Sequence, residues 1–293
     1  METQLVQLYV WVCSVYDKHP MLKYQRLSNN WQPLFTDQEL ATIYLFGHLQ
    51  GHFTQNRIYQ YISQHWTAWF PNLPSYQAVN RRLNEFHEIW EVLVSELIQA
   101  NEPTLFSNDD RVLDSLPIML ATRTRSAHAK VARQHADQGY CASKGIYYHG
   151  VKIHISARKQ SESLPETENL CLTPASEHDL PALHTRLHVT TPGALFGDKA
   201  YKDKETEKDL AKHGIILCTP DKKRPKAESY AVGESSLWSR FVSAMRQPIE
   251  SLFNWIIEKT GIQNGAKVRS ADGLLVHCYA KLTLAFFLLR FNP

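Results

Sequence analysis

The chain lacks the features that mark secreted, disulfide-linked and membrane-spanning proteins. Its 293 residues include five cysteines, which are scattered and form no Cys-x-x-Cys pair. This usage predicts reduced thiols and an intracellular protein, so we expect a cytoplasmic location. No basic segment precedes an apolar block in residues 1–15, so we expect no signal peptide. The longest apolar run, residues 274–289, contains His277 and Lys281, which predicts a buried helix and no membrane contact.

Zinc-site spacing, repeats and low-complexity segments are also absent. The 14 histidines and five cysteines show no paired spacing of the kind that binds zinc. The hydrophobic content of 43% is enough for a sizeable core in one or two domains.

Acidic and basic side chains are unevenly distributed along the chain. Residues 1–110 carry six Lys or Arg and 11 Asp or Glu, whereas residues 111–293 carry 26 and 18. Residues 121–160 hold a single acid, Asp137, and eight basic side chains: Arg123, Arg125, Lys130, Arg133, Lys144, Lys152, Arg158 and Lys159. Such a segment fits a polyanion such as DNA, although a solvated basic face is the simpler alternative.

Residues 1–105 are predicted to form an all-helical N-terminal region. Residues 36–39, TDQE, have the form of a capping box at the start of a helix. Ser75 is a candidate N-cap for a helix over residues 76–84, which carries Arg81 and Arg82. These arginines could face DNA in a helix-turn-helix that binds DNA ends, or could lie on a packing helix.

Residues 106–293 are predicted to form an α/β domain. Apolar and alternating runs indicate strands at residues 111–118, 147–158, 168–173, 194–196 and 215–218. Helices are indicated at residues 177–188, 202–213, 236–260 and 272–291, and an exposed loop at residues 121–145. This order is that of a ribonuclease-H-like domain, with a mixed five-stranded sheet flanked by helices.

Three carboxylates occupy informative places in this arrangement. Asp114 lies in a mostly apolar strand, where a carboxylate is costly unless a cation neutralises it. Asp198 follows the fourth strand, and Glu250 borders the apolar face of a helix. If the three converge, they supply the oxygen ligands that Mg²⁺ prefers; each could instead be an ordinary structural or solvated carboxylate.

Five segments, in this order, resemble the successive motifs of bacterial insertion-sequence DDE transposases. They are VLDSLPI at residues 112–118, YYHGVKIH at 147–154, TPASEHDL at 173–180, GDKAY at 197–201 and RQPIESLF at 246–253. The similarity extends from about residue 36 to the C-terminus.

The resemblance implies a ribonuclease-H-like catalytic domain that cleaves DNA strands and transfers 3′-hydroxyl ends into a target. Asp114, Asp198 and Glu250 would be the catalytic and metal-binding triad for two Mg²⁺ ions, which Mn²⁺ could replace. Arg246 would contact DNA phosphate. The resemblance also implies a homo-oligomer on DNA, in the nucleoid of a bacterial cytoplasm.

Other side chains are candidates for supporting roles. We expect phosphate contacts from Lys199, Lys202, Arg123, Arg125 and Lys152, together with Lys222, Lys223, Arg224 and Lys226. His178 is a candidate accessory residue. Some of these transposases have a Tyr and a Lys where this chain has Ser243 and Ile257; Lys259 is close to the second position but out of register.

Two alternatives remain open from the sequence. One is a related metal-dependent nuclease that cleaves DNA without strand transfer. The other is a DNA-binding protein whose catalytic centre has decayed.

Overall fold

The computed structural model describes residues 1–24, 33–100, 110–187, 189–221 and 229–291, with side chains given outside residues 23–24 and 229–235. The chain divides into two units: residues 1–97 with 256–293, and residues 98–255. The predicted boundary at residues 105/106 lies outside the described residues, as do Lys222, Lys223, Arg224 and Lys226.

The first unit is helical over its described residues. Its helices are α1 (Glu2–Lys18), α2 (Asp37–Leu49), α3 (Gln55–His65), α4 (Tyr76–Glu85), α5 (His87–Gln99), the end of α8 (Ser229–Thr260) and α9 (Ala271–Phe291). The capping box forms at α2, where the Glu39 amide donates to Thr36 Oγ1 and the Thr36 amide donates to Glu39.

Helix α9 belongs to the helical unit, whereas the sequence grouped it with the α/β domain. It packs on α2 and α4, and the rings of Trp11 and Phe287 lie 5.2 Å apart. Its length and composition would allow it to cross a membrane, but 67% of the apolar window is buried within the protein. Apolar side chains on all sides are typical of a core helix, and burial among other helices accounts for them.

The second unit contains a mixed sheet of six strands. They are β1 (Arg111–Thr122), β2 (Asp137–Cys141), β3 (Ile146–Arg158), β4 (Glu166–Pro174), β5 (Gly193–Phe196) and β6 (Ile215–Cys218). The order is β2-β3-β1-β5-β6, and β4 also pairs with β3. Strand β1 is antiparallel to β3 and parallel to β5, which is parallel to β6. The remaining helices are α6 (Asp179–Thr185), α7 (Lys204–Lys212) and most of α8.

The mixed α/β prediction is confirmed, but the sheet has six strands instead of five. The additional strand is β2, which lies in the segment predicted as a loop. It has no apolar alternation of its own and is defined by pairing with β3, where Tyr140 lies opposite Tyr147. Its Gly139 lies against the backbone of Ala175, where a larger side chain would not fit. These are tertiary contacts, which local periodicity does not report.

From Tyr148 to Arg158, β3 is buried on both faces except at the partly exposed Lys152, although its alternation of apolar and polar residues predicted a half-buried strand. Its polar residues His154 and Ser156 are both fully buried. His154 Nε2 lies 2.8 Å from the Thr173 hydroxyl on β4, which gives this buried imidazole a hydrogen-bond partner. The sheet therefore carries a buried polar group among the polar positions of the alternating run.

Candidate active site

Asp114 lies near the middle of the sheet, on β1. Its Oδ2 is 2.6 Å from the guanidinium of Arg246 on α8, and its Oδ1 accepts from the Ser115 amide at 2.8 Å. Burial raises the pKa of Asp114 to about 6. Arg246 and the Ser115 amide oppose this increase, whereas the charges of Asp198 and Asp179 add to it. In this structure, therefore, the cation that neutralises the carboxylate in this apolar strand is the guanidinium of Arg246.

Asp198 follows β5, the parallel neighbour of β1. Val112 on β1 lies opposite Phe196, the last residue of β5, and Asp114 and Asp198 each come two residues after this pair. The Asp198 carboxylate caps the short 3-10 helix Lys199–Tyr201 by accepting from the Ala200 amide. The two carboxylates are thus close enough for Asp198 to raise the pKa of Asp114.

Glu250 lies one helical turn beyond Arg246 on α8. Residues four apart share one side of a helix, so both point to the same side. The buried Ile249 and Leu252 fix the orientation of this turn, and Glu250 itself is exposed. Among the described residues, no three His, Cys, Asp or Glu side chains are close enough to hold a metal ion. The structure brings Asp114 near Asp198 but does not gather all three predicted residues into one cage.

Asp179 is a fourth carboxylate near this centre, and the sequence did not single it out as a site residue. Its Oδ1 lies 2.9 Å from Lys152 Nζ and 3.4 Å from the Ser115 hydroxyl. The signal was present in the motif TPASEHDL, but nothing in the sequence shows that α6 begins beside β1. Lys152, predicted to bind DNA, donates to Asp179 and to the carbonyl of Glu177 at 2.7 Å.

Some buried polar atoms beside Asp114 have no hydrogen-bond partner within the described part of the chain. They include Arg246 Nε and Tyr201 Oη. Burial raises the pKa of Tyr201 above its usual value, and the charges of Asp179, Asp114 and Asp198 add to this. Tyr201 therefore remains a neutral phenol beside the acidic groups.

Five further basic candidates are either exposed or held in ion pairs. Lys199, Arg123 and Arg125 are exposed. Lys202 and Arg82 are engaged in ion pairs with Asp221 (2.6 Å) and Asp37 (2.7 Å), respectively. Arg82 also donates to the Phe35 carbonyl at 2.9 Å and lies over the Phe35 ring, so its role in this structure is packing.

The last three candidates lie away from the carboxylates or at the surface. Arg81 is exposed and 3.8 Å from Glu85. His178 is exposed at the N-cap of α6. Lys259 lies in the residues of α8 that belong to the helical unit, 3.5 Å from Glu258.

A family model described as a transposase DDE domain matches residues 108–267, which is more than half of the chain. The chain therefore belongs to the DDE transposase family, as its motifs predicted. Members of this family act on DNA and generally use divalent metal ions. No curated protein and no solved structure matches the chain.

The donor set around Asp114 fits a divalent cation. Carboxylate oxygens are the ligands that Mg²⁺ prefers, and two carboxylates already lie close together here. A cation between them would offset the repulsion that now helps to raise the pKa of Asp114. The residues present are therefore chemically suited to the ions that the family uses.

Proposed function

We propose that the chain is a DNA transposase that cleaves DNA at insertion-sequence ends and joins the 3′-hydroxyl ends to target DNA. The observation that supports this most directly is the proximity of Asp114 on β1 to Asp198, which follows the parallel strand β5, with Arg246 bound to Asp114. Glu250 lies one turn from Arg246. The strand order supports a ribonuclease-H-like sheet for residues 106–255.

In this proposal Asp114, Asp198 and Glu250 hold two Mg²⁺ ions, for which Mn²⁺ can substitute. Ions bound there would supply the Lewis acidity that activates an attacking water or 3′-hydroxyl and stabilises the leaving oxygen. The exposed Glu250 side chain would have to move towards Asp114 to join the other two carboxylates as a metal ligand.

The protein's own groups orient the carboxylates. The Ser115 amide and Arg246 hold the two oxygens of Asp114, and the Ala200 amide holds Asp198. The Arg246 side chain remains 13% exposed beside Asp114, so its guanidinium can also contact a DNA phosphate. Exposed Lys199, Arg123 and Arg125 contact DNA phosphates, and the protein acts as a homo-oligomer in the nucleoid.

The triad is tested by Asp114→Ala, Asp198→Ala and Glu250→Ala, assayed on a plasmid that carries the ends of the element encoding the chain. Each substitution should reduce Mg²⁺-dependent cleavage by about a thousandfold, because each removes a ligand of the reacting ions. DNA binding should change little. The matched control is Glu258→Ala, an exposed glutamate on the same helix. Cleavage at the wild-type rate by all three variants would exclude the triad.

Strand transfer is tested separately from cleavage. A labelled 3′ end should become covalently joined to a second plasmid when the protein and Mg²⁺ are present. Cleavage without joining would identify the nuclease alternative. DNA binding with neither reaction would identify a decayed centre, the alternative favoured by the exposed position of Glu250.

A further inference from the structure

Two tyrosines project together from the β2–β3 hairpin. Tyr140 and Tyr147 are cross-strand partners, 53% and 59% exposed, and their ring centroids lie 5.0 Å apart. Paired aromatic side chains on a hairpin usually stabilise it by burying each other. Here both remain more than half exposed, so most of their surface is open to another molecule.

The tyrosine pair shares a face of the sheet with Asp114. Asp114 lies opposite Ile155 on β3, and cross-strand partners project to the same face. Tyr147 is an even number of residues from Ile155, so it also projects to that face. Tyr147 lies eight residues along β3 from Ile155, the partner of Asp114. At about 3.4 Å per residue, the distance along the strand is about 27 Å.

A basic segment lies between these two points on the same face. The 3-10 helix Arg123–His128 is held there because Gln138, next but one to Tyr140, donates to the Ser126 hydroxyl at 3.0 Å. The turn that follows is held by His149, whose Nε2 is 2.8 Å from the Val131 carbonyl. This segment exposes Arg123, Arg125, Lys130 and Arg133.

Asp137 is the single acid between residues 121 and 160, and it accepts hydrogen bonds from the amide and the hydroxyl of Ser176. Its one negative charge is outnumbered by the four exposed basic residues of this segment. The exposed charge is therefore positive from the 3-10 helix to the hairpin. Such a surface attracts a polyanion, and it disfavours a two-fold contact with a second copy of the chain, which would place like charges opposite each other.

We propose that the Tyr140–Tyr147 pair and the basic 3-10 helix bind duplex DNA beside the cleavage position. The hydroxyls of the tyrosines donate to phosphates and their rings pack on deoxyribose, while the arginines and lysines neutralise further phosphates. The site lies about eight base pairs from the carboxylates, at about 3.4 Å per base pair. This spacing rests on the proposed function, because it assumes that cleavage occurs at Asp114.

The test measures binding without cleavage. A fluorescein-labelled random-sequence duplex of about 40 base pairs is titrated in EDTA and followed by anisotropy. The double variant Tyr140→Ala/Tyr147→Ala should bind roughly tenfold more weakly, since hydrogen bonds to charged groups are lost. Arg125→Ala should lower the slope of log affinity against log salt by about 0.9, the value for one phosphate contact.

The control is a substitution at an exposed side chain away from the proposed DNA site. Ile216→Ala changes an exposed residue on β6, at the opposite edge of the sheet, and should leave affinity unchanged. Unchanged affinity in the folded tyrosine double variant would overturn the proposal. So would a change in oligomeric state with affinity preserved, since that would make the pair a contact between copies of the chain.

A second readout separates this proposal from the catalytic one. Hydroxyl-radical footprinting of the wild-type protein should show protection about eight base pairs from the cut, which the tyrosine double variant loses. If the carboxylate variants all cleave, the triad fails while the affinity loss still supports the DNA site. If footprint and affinity are both unchanged in the double variant, the DNA site fails whatever the triad does.

Discussion

The side chains of two adjacent residues of β1, Asp114 and Ser115, project to opposite faces of the sheet. Asp114 is bound by Arg246 of α8, whereas the Ser115 hydroxyl lies 3.4 Å from Asp179 of α6. Alternation along a strand produces this division. A substitution at Ser115 therefore acts on the candidate site from the side opposite to Arg246.

Lys281 is the residue where burial has the clearest effect on charge. Its side chain is 1% exposed, its Nζ lies 3.4 Å from the Gly261 carbonyl, and it is 5.8 Å from the Phe53 ring centroid. Burial lowers the pKa of Lys281 to about 8. Its neighbours His48 and His277 also have lowered pKa values, partly because the positive charge of Lys281 repels their protonated forms.

Wild-type stability should rise between pH 8 and 10.5 relative to Lys281→Met. In this window the unfolded lysine holds a proton that the folded one has lost, so unfolding takes up a proton and becomes less favourable as pH increases. The full rise is roughly 3 kcal/mol, at about 1.36 kcal/mol per pH unit. Urea unfolding of both proteins at several pH values measures it. Parallel stability curves would show that Lys281 keeps its ordinary pKa.

The pairing of β1 with β3 depends on a glycine. A methyl group at Gly150 would overlap the carbonyl oxygen of Ile118 on the neighbouring strand. Backbone cannot retreat as a side chain can, so the glycine is required by close approach and not by a turn. This pairing also fixes the register that places Asp114 and Tyr147 on one face.

Gly150→Ala should destabilise the sheet by about 1–3 kcal/mol, the usual cost of overpacking. Thermal unfolding followed by circular dichroism would measure the change. The control is Ala142→Ser, another small substitution, at an exposed position in the β2–β3 turn. A melting temperature equal to that of the wild type would show that the strands can separate locally without cost.

At the scale of the molecule, helices distant in sequence form one unit. Helix α9 is the last element of the chain, yet it packs on α2 and α4. Its buried side chains include Leu282, Leu284, Phe286 and Phe287. The N-terminal helices therefore need the C-terminal residues to complete their core.

Leu284→Ala should lower the stability of the helical unit by about 2–5 kcal/mol, because it leaves a cavity in a fully buried position. Hydrogen exchange should show faster exchange in α2 and α4. Leu237→Ala, at an exposed position of α8, should leave their exchange unchanged. Unaltered protection of α2 and α4 in Leu284→Ala would show that they do not depend on α9.

The sequence by itself determined the family, the mixed α/β class and the positions of most strands and helices. The sequence motifs, the apolar alternation and the capping box at Thr36 each involve residues close together in the chain. Such features can be recognised without knowing the tertiary structure. The sequence also identified Asp114 as a carboxylate that needed a cation.

Only the tertiary structure decided which groups meet. It paired Asp114 with Arg246, placed Asp179 beside Ser115, engaged Arg82 and Lys152 in ion pairs, and left Glu250 exposed. It also formed β2 and assigned α9 to the helical unit. These outcomes depend on contacts between residues far apart in sequence, whose register and orientation are set by packing and not by local pattern.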